Sequence, residues 1–184
     1  MIPKLLIGAV AAATMSVPFA GAAWADVSVS VGGVTVMDDG GPSTAFTNGL
    51  NFAYAANNSE AGAIGLFGNV AIATNNSYSA AAGLFNTAIA DNNSDASAGY
   101  AGSGNTAIAR DGSSAGSYDG NFNTVRATNN SSAQVYFGNF NTVTATDGST
   151  AIISGDANRV TARCGGQVTL EAQGQIITTP CEAG

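Results

Sequence analysis

Beyond residue 50 the chain is written in short alternating runs. In Asn141-Thr142-Val143-Thr144-Ala145-Thr146 small apolar and polar residues alternate with a period of two, Asp147-Gly148 interrupts, and a second alternating run extends from Ser149 to Ser154. Period-two alternation bounded by turn residues predicts half-buried strands. The interruptions are Asn57-Asn58, Asn75-Asn76, Asn92-Asn93, Asp111-Gly112, Asn129-Asn130 and Asp147-Gly148. Asn and Asp-Gly tolerate positive φ, so these pairs mark one tight turn per unit. A second turn rich in Gly, Asn and Phe, as in Gly120-Asn121-Phe122 and Gly138-Asn139-Phe140, closes each unit.

These units recur in register. The pattern N-[TV]-[AV]-x-A-x-[ND]-[NG]-S starts at Asn51, Asn69, Asn86, Asn105, Asn123, Asn141 and Asn158, with Gly33 before and Gln175 after, at spacings of 18, 18, 17, 19, 18, 18, 17 and 17 residues. Hairpins would alternate too, but would not place one residue type at one phase of every unit. Stacked parallel coils do, because equivalent positions lie about 4.8 Å apart along the stack. The expected fold is all-β: a single-stranded parallel β-helix, or β-solenoid, of about eight coils of 17–19 residues with two strands per coil. Eighteen residues also divide into three short faces, which the sequence leaves open. The seven phase-zero asparagines are expected to form an inward amide ladder.

Strand parity decides what points inward. Placing Ile89 and Ile108 inside would also bury Asp91 and Arg110, two residues further on. The opposite choice buries alanines and leaves the charges in water, which costs less. The core columns are then Ala53, Ala71, Ala88, Ala107, Val125, Val143 and Val160 facing Ala63, Ala81, Ala98, Ser117, Val135, Ile153 and Leu170. Both enlarge together from the coil at Asn123, as facing positions across a widening gap should.

The two ends depart from the repeat. Lys4, an apolar run from Leu5 to Ala23, and Ala23-Trp24-Ala25 before Asp26 form a secretory signal, with cleavage expected after Ala25. Residues 1–25 are therefore set apart from the solenoid domain, 26–184, and no membrane span is expected in the processed chain. Val27-Ser28-Val29-Ser30-Val31 alternates and is expected as a starting strand leading into the coil at Gly33, with Asp38 and Asp39 charging its exposed edge. At the other end Cys164 and Cys181 share the sixth place of consecutive coils, within reach of a disulfide that export permits and that would pin the degenerate last coil.

Charge and composition then narrow the function. The processed chain carries four arginines against twelve acidic residues, a net −8, which makes nucleic acid an improbable partner. The absence of histidine removes Ser-His-Asp and Cys-His nucleophiles and histidine-bound metal. It also sets the chain apart from the hexapeptide-repeat acyltransferases, and the G-G-x-G-x-D turns of calcium-binding β-rolls are missing. Asp91, Asp95, Asp111, Asp119, Asp147 and Asp156 could in principle pair for glycoside cleavage, but most fall at turn phases. Asn57, Asn75, Asn92 and Asn129 head glycosylation sequons, yet serve equally as turn residues. No catalytic residue, metal or cofactor is assigned.

Parity also leaves large apolar residues outside. Val34, Val36, Phe52, Tyr54, Val70, Ile72, Ile89 and Ile108 form adjoining outward columns, a candidate interface. Tyr78, Tyr118 and Tyr136 stand on the other face among small polar residues suited to glycan or protein contacts. Thr142, Thr144 and Thr146 make one full rank of the kind that orders ice-like water, interrupted in neighbouring coils by Arg126 and Arg110.

The A-I-A and N-T-A strings separated by N-N-S or D-G-S over residues 51 to 162 resemble the head repeats of bacterial surface adhesins, including trimeric autotransporters. Those heads use shorter repeats, and no coiled-coil stalk follows here. The Ala-rich leader is similar to those of secreted actinobacterial proteins. The resemblance implies a non-enzymatic β-solenoid at the cell surface or secreted, meeting another copy of itself or an extracellular protein or glycan.

Overall fold

In the computed structural model the described residues are 26–181, so the expected signal segment 1–25 and its cleavage site lie outside them. The strands are β1 (Val27–Val31), β2 (Val34–Asp38), β3 (Thr44–Thr47), β4 (Leu50–Ala56), β5 (Glu60–Ile64), β6 (Phe67–Thr74), β7 (Tyr78–Ala82), β8 (Thr87–Asp91) and β9 (Asp95–Ala98). They continue as β10 (Thr106–Arg110), β11 (Ser114–Ser117), β12 (Thr124–Thr128), β13 (Ser132–Phe137), β14 (Thr142–Thr146), β15 (Thr150–Ser154), β16 (Arg159–Ala162), β17 (Gln167–Glu171) and β18 (Ile176–Thr178). No helix occurs among them.

Even-numbered strands from β4 to β18 stack in parallel as one face, and odd-numbered strands from β3 to β17 as the other. The result is the expected solenoid of about eight turns, flattened between two sheets rather than triangular. Each turn pair sits at positive φ as its chemistry requires: Asn57, Asn58, Asn129 and Asn130 lie between 56° and 58°, and Asp147-Gly148 at 57° and 75°. The parity also holds. Ala53, Ala71, Ala88, Ala107, Val125, Val143 and Val160 are fully buried, facing Ala63, Ala81, Ala98, Ser117, Val135 and Ile153. Leu170 is only half-buried, packed against the end of this core.

The N-terminal start differs from expectation. β1 does not lead into a parallel coil: it runs antiparallel to β4 and is the inner arm of a hairpin whose outer arm, β2, forms the edge of the sheet. Gly32 and Gly33, at φ 62° and 83°, make the two-residue turn that reverses the chain. Asp38 and Asp39 do not simply charge this edge. Asp38 accepts the Gly40 amide at 2.9 Å, and Asp39 accepts the amides of Val27 at 3.0 Å and Gly41 at 3.1 Å, folding the loop back across the top of the stack.

At the other end Cys164 and Cys181 are bonded, their Cα atoms 5.3 Å apart. Cys164 occupies the tight-turn column, at φ 53°, and is followed by Gly165, whose amide donates to the Asp147 carbonyl of the preceding coil.

Candidate functional site

Three side-chain ladders run along the stack, two buried and one outside. In the first, Oδ1 of each phase-zero asparagine from Asn51 to Asn141 accepts the backbone amide of the next one at 2.8–3.0 Å. Asn158 passes the same bond to Gln175. The Nδ2 of each donates at 2.7–2.8 Å to a carbonyl in the turn that closes its own coil: Gly65, Gly83, Gly102, Gly120, Gly138, Gly155 and Ala172. These amides are buried and carry the inner edge of the stack, as the spacing predicts.

The second ladder was not anticipated. The serine after each tight turn is buried, and its Oγ accepts the amide of the next serine at 3.1–3.2 Å, from Ser43 through Ser59, Ser77, Ser94, Ser113 and Ser131 to Ser149. Its signal is the invariant Ser closing the repeat, which a sequon reading absorbs. The ladder stops at Ser149, whose Oγ has no partner: the amide of Gly166, next in that column, donates to the Arg163 carbonyl at 2.9 Å instead. Asp26 starts it: its carboxylate accepts from the Ser43 amide and hydroxyl at 2.7 and 2.6 Å and from the Asn58 amide at 2.7 Å. Partial burial pushes this carboxyl up, but those hydrogen bonds outweigh it and hold its pKa below the usual range.

A third ladder runs outside, over the tight turns. Asn57 donates to Asn75, Asn75 to Asp91, Asn92 to Asp111 and Asn129 to Asp147 at 2.7–2.8 Å. The sequon asparagines thus use their Nδ2 to bind the next coil. Asp91 is held below its ordinary pKa chiefly by the Thr74 hydroxyl, with Asn75 and Arg110 adding to it. Asp156 accepts from Asn139 in the closing turns.

On the outer face of the even-numbered sheet, Phe52 and Val70 stand in one column and Tyr54, Ile72, Ile89 and Ile108 in the next, each half-buried by its neighbours. The hairpin extends the columns: Val31 pairs with Phe52 and Val34, and Val29 with Tyr54 and Met37. Val36 falls out of register, passed over by a β-bulge, so Met37 takes its expected place. Val34 and Val36 are each 61% exposed on a strand open on both sides. Toward the C-terminus the same columns turn polar, with Thr87, Thr106, Thr124 and Thr142 aligned, and Arg126, Thr144, Thr161 and Thr178 beside them.

The odd-numbered sheet is different. No strand of it carries Lys or Arg, and a shallow groove of about 750 Å³ runs along it beside the tight turns, lined by Asn58, Asn76, Glu60, Tyr78, Asp95 and Ser114 among others. Glu60, Tyr78 and Asp95 are neighbours in consecutive coils. Burial raises the Tyr78 phenol, with the two carboxylates adding to it, and burial raises Asp95. Tyr118 lies over Gly116 and stacks on Tyr136 at 5.3 Å, whose hydroxyl donates to Gln134.

The closing turns hold the feature the sequence reading missed. Phe85, Phe122 and Phe140 adopt φ of 54°, 56° and 59°, a left-handed backbone that bulky residues rarely take, and stay 59%, 59% and 65% exposed. In the same column stand Gly68, Gly104 and Gly174, the residues that position favours. Phe85 lies over Gly68 and meets Phe67 edge-on at 5.0 Å, and Phe122 lies over Gly104 and stacks on Phe140 at 5.4 Å.

Searches against protein-family models, curated proteins and solved structures return no match, so the likeness to adhesin heads and to actinobacterial secreted proteins rests on the repeat strings alone.

Proposed function

We propose that the chain is an exported, non-enzymatic structural and interaction protein, and that its partner on the apolar columns of the even-numbered sheet is a second copy. The observation that carries this reading is the N-terminal half of that face: Phe52, Tyr54, Val70, Ile72, Ile89 and Ile108 stand outward over a core of alanine. Two such faces meet as sheet on sheet about 10 Å apart, apolar column against apolar column. The disulfide is in keeping with an oxidising extracellular compartment. A non-enzymatic role is supported by the engagement of Asp91, Asp111, Asp147 and Asp156 as ladder acceptors.

Mass measured in solution over a range of concentrations tests the reading. A dimer is expected at high concentration and is lost in Ile72→Asp with Ile89→Asp. A strict monomer, unaffected by those changes, refutes it.

A second reading, ice binding, is favoured by the aligned Thr87, Thr106, Thr124 and Thr142, with Thr144, Thr161 and Thr178 beside them. It predicts thermal hysteresis, and a null assay ends it.

A further inference from the structure

We infer that the closing-turn edge of the N-terminal coils is a lipid-contact ridge that dips into the apolar layer of a neutral membrane surface. The side chains along it are Leu50, Leu66, Phe67, Phe85 and Tyr100, most of them strongly exposed, Tyr100 at 82%. In the coil whose corner residue is Gly104, Tyr100 supplies the projecting ring. Between Asn48 and Asn105 these turns contain no Asp, Glu, Lys or Arg, in a chain that is otherwise acidic.

What marks lipid as the occupant is the backbone. A turn normally presents amides and carbonyls that need water or a polar partner, and in hydrocarbon an unpaired one costs several kcal/mol. Here many of them are paired along the stack: Leu50 N donates to Leu66 O at 2.9 Å, Gly83 N to Ile64 O at 3.0 Å, Tyr100 N to Tyr118 O at 2.8 Å and Gly104 N to Leu84 O at 3.0 Å. The asparagine ladder takes the carbonyls of Gly65, Gly83 and Gly102. The ridge therefore presents apolar tips over a backbone much of which is already paired within the stack. Its exposed Leu, Phe and Tyr side chains offer a protein partner few hydrogen bonds, whereas an apolar medium asks for none. The opposite edge, the Asn and Asp tight turns, is polar throughout. Net acidity directs the ridge to uncharged rather than anionic headgroups.

The corner column also supplies a clean test, because Gly already occupies it at Gly68, Gly104 and Gly174 with positive φ. Phe85→Gly should preserve the fold and relieve backbone strain. Secreted protein with its N-terminus verified at Asp26 is floated with phosphatidylcholine vesicles, with and without added phosphatidylserine. Every variant shares that terminus, so differences read the ridge alone. The wild type is expected to float with phosphatidylcholine and less with phosphatidylserine. Phe85→Gly combined with Leu50→Ser and Leu66→Ser is expected to lower the partition coefficient about tenfold or more, with the unfolding midpoint of Phe85→Gly alone unchanged or raised. Ile72→Asp with Ile89→Asp, on the sheet face, should float as the wild type does. The inference is overturned if the wild type does not float, if the ridge variant floats equally, if only the sheet-face variant loses flotation, or if the ridge changes alter solution mass while leaving flotation intact. Solution mass of the sheet-face variant separately reports on the proposed dimer.

Discussion

Asn105→Ala asks how much one rung of the buried ladder is worth. Asn105 is fully buried; its Oδ1 accepts the Asn123 amide at 3.0 Å and its Nδ2 donates to the Gly120 carbonyl at 2.8 Å. Alanine would strand both. A buried donor or acceptor left without a partner costs about 1–3 kcal/mol; with Gly120 half-buried the lower end applies there, giving roughly 2–4 kcal/mol in total. Against the 5–15 kcal/mol typical of a folded domain, that is a large share. Urea titration at neutral pH should show the midpoint falling with the slope unchanged. Asn105→Asp sharpens the test, since one oxygen still accepts from Asn123 while the other meets the Gly120 carbonyl. That contact and burial raise the folded pKa above the ordinary carboxylate value of about 4. For an acid with a raised folded pKa the penalty is full at neutral pH and disappears as pH falls through that value, because the protonated acid can donate to Gly120. The gap to wild type should therefore close on acidification for Asn105→Asp and stay constant for Asn105→Ala. A loss below about 0.5 kcal/mol for alanine, or a gap that widens in acid for aspartate, refutes the account of the ladder.

Asp26→Ala should lower stability by about 1–2 kcal/mol, the scale of a lost cap; with its folded pKa depressed, that contribution is present above the unfolded value and is lost as pH falls through the folded one, below about pH 4, which paired pH titrations of unfolding would show. Ser117→Ala should be neutral or stabilising by up to about 1 kcal/mol, because the buried Ser117 hydroxyl has no partner; a clear loss of melting temperature would contradict this. Cys164→Ser opens a 17-residue separation worth about 3 kcal/mol, and should appear as faster amide exchange in Ile176–Thr178 before the rest of the stack.

Legibility in the sequence followed whatever repeats strictly. The phase-zero asparagines, the tight-turn pairs, the cysteine pair and the core parity are all positions where stacking forces like onto like, so spacing alone exposes them. The serine ladder repeats as strictly, but serine beside a turn is ordinary, and only burial separates a rung from a turn residue. The hairpin was legible too: Val31-Gly32-Gly33-Val34 carries a two-residue turn signal, which a repeat-phase reading converts into a coil start. Phe85, Phe122 and Phe140 at positive φ could not come from propensity, since that backbone disfavours them. The one available sign was that they share a column with Gly68 and Gly104.

The partition of side chains in the N-terminal coils bears on all of these readings. Large apolar residues normally go inside and small ones fill what is left. From β4 to β11 the interior is alanine, as at Ala55, Ala73, Ala90, Ala96, Ala109 and Ala115, while Phe52, Tyr54, Val70, Ile72, Ile89 and Ile108 stand outside with Leu50, Leu66 and Phe85 at the turns. The gap between the sheets explains the alanines, but nothing in the packing calls for the outer residues: threonine fills the equivalent outer places at Thr142 and Thr144, and glycine fills the corner at Gly104. The backbone and asparagine ladders continue through those later coils, whose sheet face carries threonine in the same columns. Phe122, Phe137 and Phe140 keep apolar side chains exposed at the turns of the later coils, but the apolar columns on the sheet face give way there to threonine, so the sheet face of the N-terminal coils is where the proposed contact is to be tested.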